Sequence, residues 1–388
     1  MWDIKASIEA VLPQVINWRR HLHQHPELGL MEQNTTKFVA DVLTSLDIEV
    51  KTFDGVTGVL GTLKGGLPGK TIALRADMDA LPIVEDSDCA FRSVNHGVMH
   101  ACGHDLHTAN LLGVASVLAA HREEVPGTVK FLFQPGEEGY NGASLLIAQG
   151  VMEGIDQIYA LHVQPEIATG QVSITPGYCT ANSDSAVITV LGKGGHGAHP
   201  ETTIDAVVVG AEIVGALQTI VSRNLPAQEA GVVTIGTFHA GTVQNIIAER
   251  AEMRLSLRSL TPETQTKLRE RIEAVVKGIT MAHGADYDFQ YKLGYPGVKN
   301  HEMAFAITQR AAAQVIGEDN VLIHPKATMV GEDFAYYGHH VPATLFWLGA
   351  AVDDKTKRRP LHNPGVLFNE DCLPIGIEIM VNLVLGAQ

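Results

Sequence analysis

The stretch Met99-His100-Ala101-Cys102-Gly103-His104-Asp105-Leu106-His107 sets one thiol, three imidazoles and a carboxylate within nine residues. Cys and His are the soft and borderline ligands for Zn, Co, Ni or Mn. Cys102 and His104 are one residue apart, too close to share a helical face, whereas an extended or turning backbone can aim both inward. Gly103 between them supplies the backbone freedom such a turn needs. The apolar run from Leu111 to Ala120 reads as a helix. The candidate ligands therefore sit at a strand-to-helix junction, where α/β folds place their sites. Taken alone, the stretch is also compatible with an unusual buried turn.

The chain has 388 residues, 45% of them hydrophobic and 18% charged, which suits two domains with a substantial core. A net charge of −15 argues against a nucleic-acid or anionic-membrane partner, because phosphate binding needs clustered Lys and Arg. Arg19-Arg20 and the 355–359 segment are the basic clusters, and both read as solvated surface. Cys89, Cys102, Cys179 and Cys372 are far apart and follow no secretory segment, so free thiols in a reducing cytoplasm are expected. Residues 1–10 read as the start of an amphipathic helix and not as a signal peptide. No run of about 18 apolar residues is evident, so no membrane span is expected.

Helices are expected over 3–22, with Pro13 as a local irregularity, and over 34–46. Between them, His23-Gln24-His25-Pro26-Glu27 reads more readily as a helix exit than as a ligand set. Strands over 56–63 and 71–76 flank a turn at 65–69. A helix at 106–121, a strand at 128–133, a helix at 143–149 and a strand at 158–163 follow. This alternation predicts an α/β fold with a mostly parallel sheet covered on both faces. From about 184 the order becomes β-α-β-β-α-β: 186–191, 203–222, 232–238, 251–258, 262–283 (opened by Thr261 as N-cap) and 287–293. That order is the ferredoxin-like α+β unit. It predicts an inserted domain over 184–292, with 1–183 and 293–388 forming the other domain. The alternation then resumes with a helix at 301–316, strands near 321–324 and 343–349, and a terminal helix from Leu373.

Four further stretches supply chemistry. Asp77 and Asp79 in Arg75-Ala76-Asp77-Met78-Asp79-Ala80-Leu81-Pro82 lie two apart at a strand end and share one face. They could hold a metal, orient a ligand imidazole or cap a turn. In Gln134-Pro135-Gly136-Glu137-Glu138-Gly139, adjacent glutamates in a turn point different ways, so one can bind metal while the other serves as general base. The alternative is a solvated acidic loop. His162 ends the apolar run 158–161, and His362 lies in the late loop Leu361-His362-Asn363-Pro364-Gly365. Cys102, His104, Glu138, His162 and His362 fit a two-metal centre with one bridging group, and Glu137 would carry the proton from water to the leaving amine. No Gly-x-Ser-x-Gly elbow supports a serine hydrolase.

As a set, these stretches resemble the M20 metallopeptidase family, in particular its amidohydrolase/aminoacylase branch of hippurate hydrolases, indole-3-acetyl-amino-acid hydrolases and N-acetyl-diaminopimelate deacetylases. The resemblance spans essentially the whole chain, from Arg20-His21-Leu22-His23-Gln24-His25-Pro26-Glu27 to Leu361–Gly365. It implies a catalytic domain with two divalent metals and an inserted lid and dimerisation domain. It makes Cys102, His104, Glu138, His162 and His362 the metal ligands, with Cys102 as candidate bridge, and Glu137 the base. Other branches carry His-x-Asp where this chain has Asp77-Met78-Asp79. Asp79 matches that Asp and is expected to support a ligand, while Asp77 is left out of the ligand set. His100 and His107 become packing or supporting residues, and Asp105 a helix cap or an orienting neighbour.

The segment Gly192–Pro200 matches the family stretch whose His reaches the partner subunit's site, which implies that His196, and not His199, stabilises the oxyanion. Asn245 and Arg258 match positions that hold a substrate carboxylate. Val330-Gly331-Glu332-Asp333-Phe334 matches a segment bordering the pocket. The expected activity is hydrolysis of an N-acyl amino acid, hippurate-like or N-acetylated, to an amino acid and a carboxylic acid. The expected cofactors are two divalent ions, Zn or Mn, with Co or Ni as alternatives. The expected assembly is a homodimer, or a tetramer. Two other readings stay open: a dipeptidase or carboxypeptidase of the same family, and a catalytically silent metal-binding protein.

Overall fold

In a computed structural model, which describes residues 2–388, the chain opens with α1 (Ile4–Gln24). Met1, the first residue of the expected N-terminal segment, lies outside the described residues. Asp3 caps α1 by accepting from Ala6 N–H, and the helix continues through Pro13. There follow α2 (Gln33–Ser45), β1 (Glu49–Phe53), β2 (Val56–Lys64), β3 (Leu67–Asp77), α3 (His104–Ala120), β4 (Pro126–Gln134), α4 (Gly142–Ala148), β5 (Gln157–Ala168), β6 (Val172–Ile174) and β7 (Gly177–Tyr178). Next come β8 (Asn182–Leu191), β9 (Gly195–His196), α5 (Ala206–Asn224), β10 (Gly231–Ala240), β11 (Ile246–Ile247), β12 (Arg250–Ser259), α6 (Pro262–His283) and β13 (Asp286–Tyr295). The chain closes with β14 (Lys299–Asn300), α7 (Glu302–Ile316), β15 (Val321–Ile323), β16 (Ala343–Ala351) and α8 (Cys372–Gly386).

These elements form two units. One comprises 1–179, 298–326 and 333–388, and the other 180–297 with 327–332. The second unit thus extends a few residues beyond 184–292 and recruits a distant strip. The strip is tied in by Ala181 N–H, which donates to Val330 O at 3.0 Å.

The first unit is built on an eight-stranded sheet in the order β1-β2-β4-β3-β5-β16-β6-β15. Its middle is parallel, since β3 pairs in parallel with β4 and β5, and β16 with β5. The edges are partly antiparallel, and the edge strand β1 is an element the apolar pattern did not announce. Only residues 65–66 separate β2 from β3 along the chain, because Leu67 already opens β3, so the turn is shorter than expected. Alternation along β3 sends Ile72, Leu74 and Ala76 into the core shared with α1, α3 and α8, and Ala73 into the opposite core with Phe334 and Tyr337. Every residue of α3 from His104 to Leu118 is buried, as expected of a helix apolar on all sides. Each of its fully buried Leu and Val side chains contributes roughly 1.5–3 kcal/mol.

The second unit has the antiparallel order β10-β12-β8-β13, which is the ferredoxin-like arrangement. Its helix α5 is long and apolar enough by composition to cross a membrane, although Glu212 and Arg223 interrupt the apolar run. Its buried side, Val209, Ile213, Leu217 and Ile220, packs into the core of this unit, which is how a core helix behaves.

Candidate metal centre

Three parallel strands deliver the first residues of the site. In register, Asp77 at the end of β3 faces Gln134 at the end of β4, so the loops carrying Asp79 and Glu137-Glu138 leave the sheet side by side. β5 is longer than the sequence indicates, and His162 lies inside it and not at its end. It still reaches the loops, because β3 pairs with β5 only as far as Arg75↔Ala160 and leaves His162 beyond that limit. Gly103 then turns the chain into α3 with φ +88°, and a Cβ there would meet Val163 Cγ2 at 2.3 Å. Only glycine fits, and this turn aims Cys102 and His104 at the same point. His362 comes from the late loop, held by its N–H to Ala101 O at 2.9 Å and itself at φ +64°.

The ligand atoms converge. Cys102 Sγ lies 3.5 Å from His162 Nε2 and 3.3 Å from His362 Nε2, and His362 Nε2 lies 3.0 Å from Glu138 Oε1. The groups Cys102–His104–His162, Cys102–Glu138–His362 and His104–Glu137–Glu138 each bring their donor atoms within 4.8 Å of one another. Cys102 is common to the first two, so a thiolate there could bridge two cations.

The hydrogen bonds set the ring tautomers. His104 Nδ1 donates to the Asp79 carbonyl at 2.9 Å, with Asp79 Oδ1 at 3.2 Å, and His162 Nδ1 donates to Val163 O at 2.8 Å. Both leave Nε2 with its lone pair toward the centre. His104 Nε2 is buried with no hydrogen-bond partner among the described residues, and Asp77 Oδ2 stands off at 3.6 Å. A buried acceptor of this kind costs free energy unless a cation or donor meets it. Asp79 also accepts Glu138 N–H at 2.9 Å, so it orients two candidate ligands at once.

The electrostatics favour a cation. Burial disfavours charge on His104, yet Asp77, Asp79 and Glu138 outweigh it and push the ring up to about 10. Burial, reinforced by Glu138, Glu137 and Asp77, raises the Cys102 thiol well above its ordinary value. Burial holds His162 well below its own, with His107 adding to the effect. Thus an anionic pocket surrounds a His104 ring that holds its proton, a neutral His162 and a neutral thiol, and a bound cation would take the place of the protons on His104 and Cys102. The donor set fits one or two divalent ions of the Zn or Mn kind.

A second layer locks these residues. Asp77 is buried and opposed by desolvation, but Arg75, His104 and His107 hold it well below the carboxylate range. It accepts from Arg75 at 2.7 Å and from His107 Nδ1 at 2.5 Å, while His107 Nε2 accepts Val163 N–H. Arg75 continues to Gln134 and Asp333, so Asp333 braces the strand ends. The sequence missed Glu32, which lies fully buried and accepts Gly136 N–H at 2.8 Å beneath the Glu137 loop. It also missed Arg19. That residue is not solvated surface but 3% exposed, with its Nε 2.9 Å from Asp105 Oδ2. Asp105 accordingly does not cap α3: it receives Arg19 and His23, and no side chain caps that helix. The spacing His23-x-x-Pro26-Glu27 was the available signal, read there as a helix exit.

In the second unit His196 and Asn245 meet on one small ribbon, where β9 pairs with β11 and Gly197 N–H donates to Asn245 O at 2.9 Å. His196 is exposed, and its Nδ1 accepts Ala198 N–H, which puts the ring proton on Nε2. Arg258 is not with them. It sits eight residues along β12 from Arg250, roughly 26 Å at about 3.3 Å per residue, beside Ser183 at the other end of the sheet. One chain therefore does not join Arg258 to Asn245.

The model of peptidase family M20/M25/M40 matches residues 73–386. The chain belongs to this family. It is a hydrolase, and relatives bear this out. It is 40% identical over 373 residues, 95% of this chain and 96% of the relative, to an N-acetyldiaminopimelate deacetylase of Priestia megaterium. It is 42% identical over 301 residues, 77% of this chain and 81% of the relative, to an N-acyl-L-amino acid amidohydrolase of Geobacillus stearothermophilus. A crystal structure of the YXEP protein of Bacillus subtilis, described as a dinuclear metal binding peptidase from the M20 family, superposes with a TM-score of 0.85 at 32% identity. It covers 97% of this chain and 98% of the other.

Proposed function

We propose that the chain hydrolyses N-acyl amino acids to an amino acid and a carboxylic acid at a centre held by Cys102, His104, Glu138, His162 and His362. The observation that carries this reading is the convergence on Cys102 Sγ of His162 and His362, with a carboxylate pair, Glu137 and Glu138, on one loop beside it. Two divalent ions, when bound, supply polarisation of the amide carbonyl and acidification of water. Glu137, 7% exposed, takes the proton of the attacking water and delivers it to the departing nitrogen. Asp79 keeps His104 and Glu138 in position. His196 donates Nε2–H to the developing oxyanion, and Arg258 and Asn245 receive the substrate carboxylate. Because His196 and Asn245 lie at the opposite end of the sheet from Arg258, this division of labour is met by two chains of a homodimer. The second unit acts as lid and dimerisation module. Cys89, Cys102 and Cys372 are free thiols, which suits a reducing compartment such as the cytoplasm.

The test is hydrolysis of N-acetyl and N-benzoyl amino acids by protein reloaded with Zn, Mn, Co or Ni, compared with dipeptides. Glu137→Ala should lose at least about a hundredfold in kcat while keeping its metal content. Wild-type turnover in that variant overturns the role of Glu137. Preference for dipeptides replaces the N-acyl reading by a peptidase.

A further inference from the structure

A second cluster of ligand-type side chains lies outside the centre just described. His23, Glu85 and Cys89 bring one donor atom each within 4.8 Å of one another. We propose that His23, Glu85 and Cys89 form an additional divalent-cation site of the zinc–thiolate class, with its fourth position open to a cleft.

Four observations support it. The first is orientation. Asp105 Oδ2 receives His23 Nδ1–H at 2.9 Å, which leaves Nε2 facing Glu85 Oε1 at 3.3 Å. A carboxylate behind an imidazole is the arrangement that orients metal-binding histidines. Glu85 is preset as well, since its Oε2 receives Ser93 N–H at 2.7 Å.

The second is charge. Arg19 meets Asp105 at 2.9 Å and offsets it. Glu85 and a Cys89 thiolate then remain as two negative charges, which one divalent ion neutralises. Binding would release the thiol proton and any proton on Nε2 to solvent.

The third is reach. A tetrahedral zinc site needs donor separations of roughly 3.3–3.8 Å, so the atoms need close by about 1 Å at most. The loop that carries Glu85 and Cys89 can supply this, because residues 83–98 contain no helix or strand.

The fourth is access. Cys89 is the one cysteine of the four that is not buried, and it opens with His23 and Phe91 onto a cleft of about 430 Å³. None of the three ligands belongs to the Cys102 centre.

The test uses the full chain with its Cys102 centre already loaded with zinc. Iodoacetamide labelling, read by mass spectrometry, should find Cys89 as the fast thiol. Further zinc should slow that labelling at least about tenfold. Equilibrium dialysis should show one zinc equivalent fewer in Cys89→Ser than in wild type. Glu85→Gln should keep the fast thiol and lose most of the protection. Unchanged labelling in excess zinc, equal zinc content in Cys89→Ser, or full protection in Glu85→Gln each overturns the site. These readouts do not depend on amide hydrolysis.

Discussion

Replacing Glu32 by Gln should remove a pH dependence of stability that this residue imposes. Glu32 has no exposed surface, and its carboxyl meets Gly136 N–H at 2.8 Å and Thr57 Oγ at 2.6 Å. Burial dominates; Thr57 opposes it in part, the charge of Asp79 adds to it, and the carboxyl is pushed up from 4.5 to about 7. Between those values the folded chain binds more protons than the unfolded chain. Stability from this group is therefore present at low pH and lost as pH rises through about 7. The interval from 4.5 to about 7, at about 1.4 kcal/mol per pH unit, comes to about 3 kcal/mol. Gln mimics the protonated acid: its oxygen accepts Gly136 N–H and its amide donates to Thr57 Oγ. Urea unfolding in chelator, so that bound cations add no field of their own, should find the variant within about 1 kcal/mol of wild type near pH 5 and about 3 kcal/mol more stable near pH 8. A difference that stays the same at both pH values refutes the buried, proton-retaining carboxyl.

Other perturbations follow from the same geometry. Asp79→Asn keeps the shape but weakens the support of His104 and Glu138, and should loosen metal binding by about 10–100-fold in a chelator competition. Gly103→Ala forces a side chain into φ +88° and against Val163, and should lower stability by about 2 kcal/mol or more in urea unfolding. Arg75→Leu strands Asp77 and Asp333 in the interior and should cost about 3–5 kcal/mol, read by thermal unfolding.

How far the sequence reaches depends on the range of the interaction. The turn at Cys102-Gly103-His104 was legible because the decisive constraint is local: a glycine at φ +88° between two candidate ligands. The glutamate pair was legible because turn residues follow an apolar strand. The partners of Asp105 were not, since Arg19 and His23 arrive from a helix more than 80 residues earlier, although its role as an orienting neighbour was expected. A charged residue in a sequence reads as solvated until the opposite charge that buries it is placed. Glu32 failed for the same reason, because what it holds is a backbone amide at Gly136.

The sequence by itself determined the kinds and order of the long elements, through side-chain periods of two and 3.6, and the residue types able to bind a cation. Tertiary structure decided which of them meet. β16, late in the chain, pairs in parallel with β5 and sets Trp347 opposite His162. The register of β12 carries Arg258 away from Arg250 and the ribbon that holds Asn245. Periodicity is a property of neighbours along the chain, whereas register and burial are settled by contacts between segments far apart in it, where no local pattern can record them.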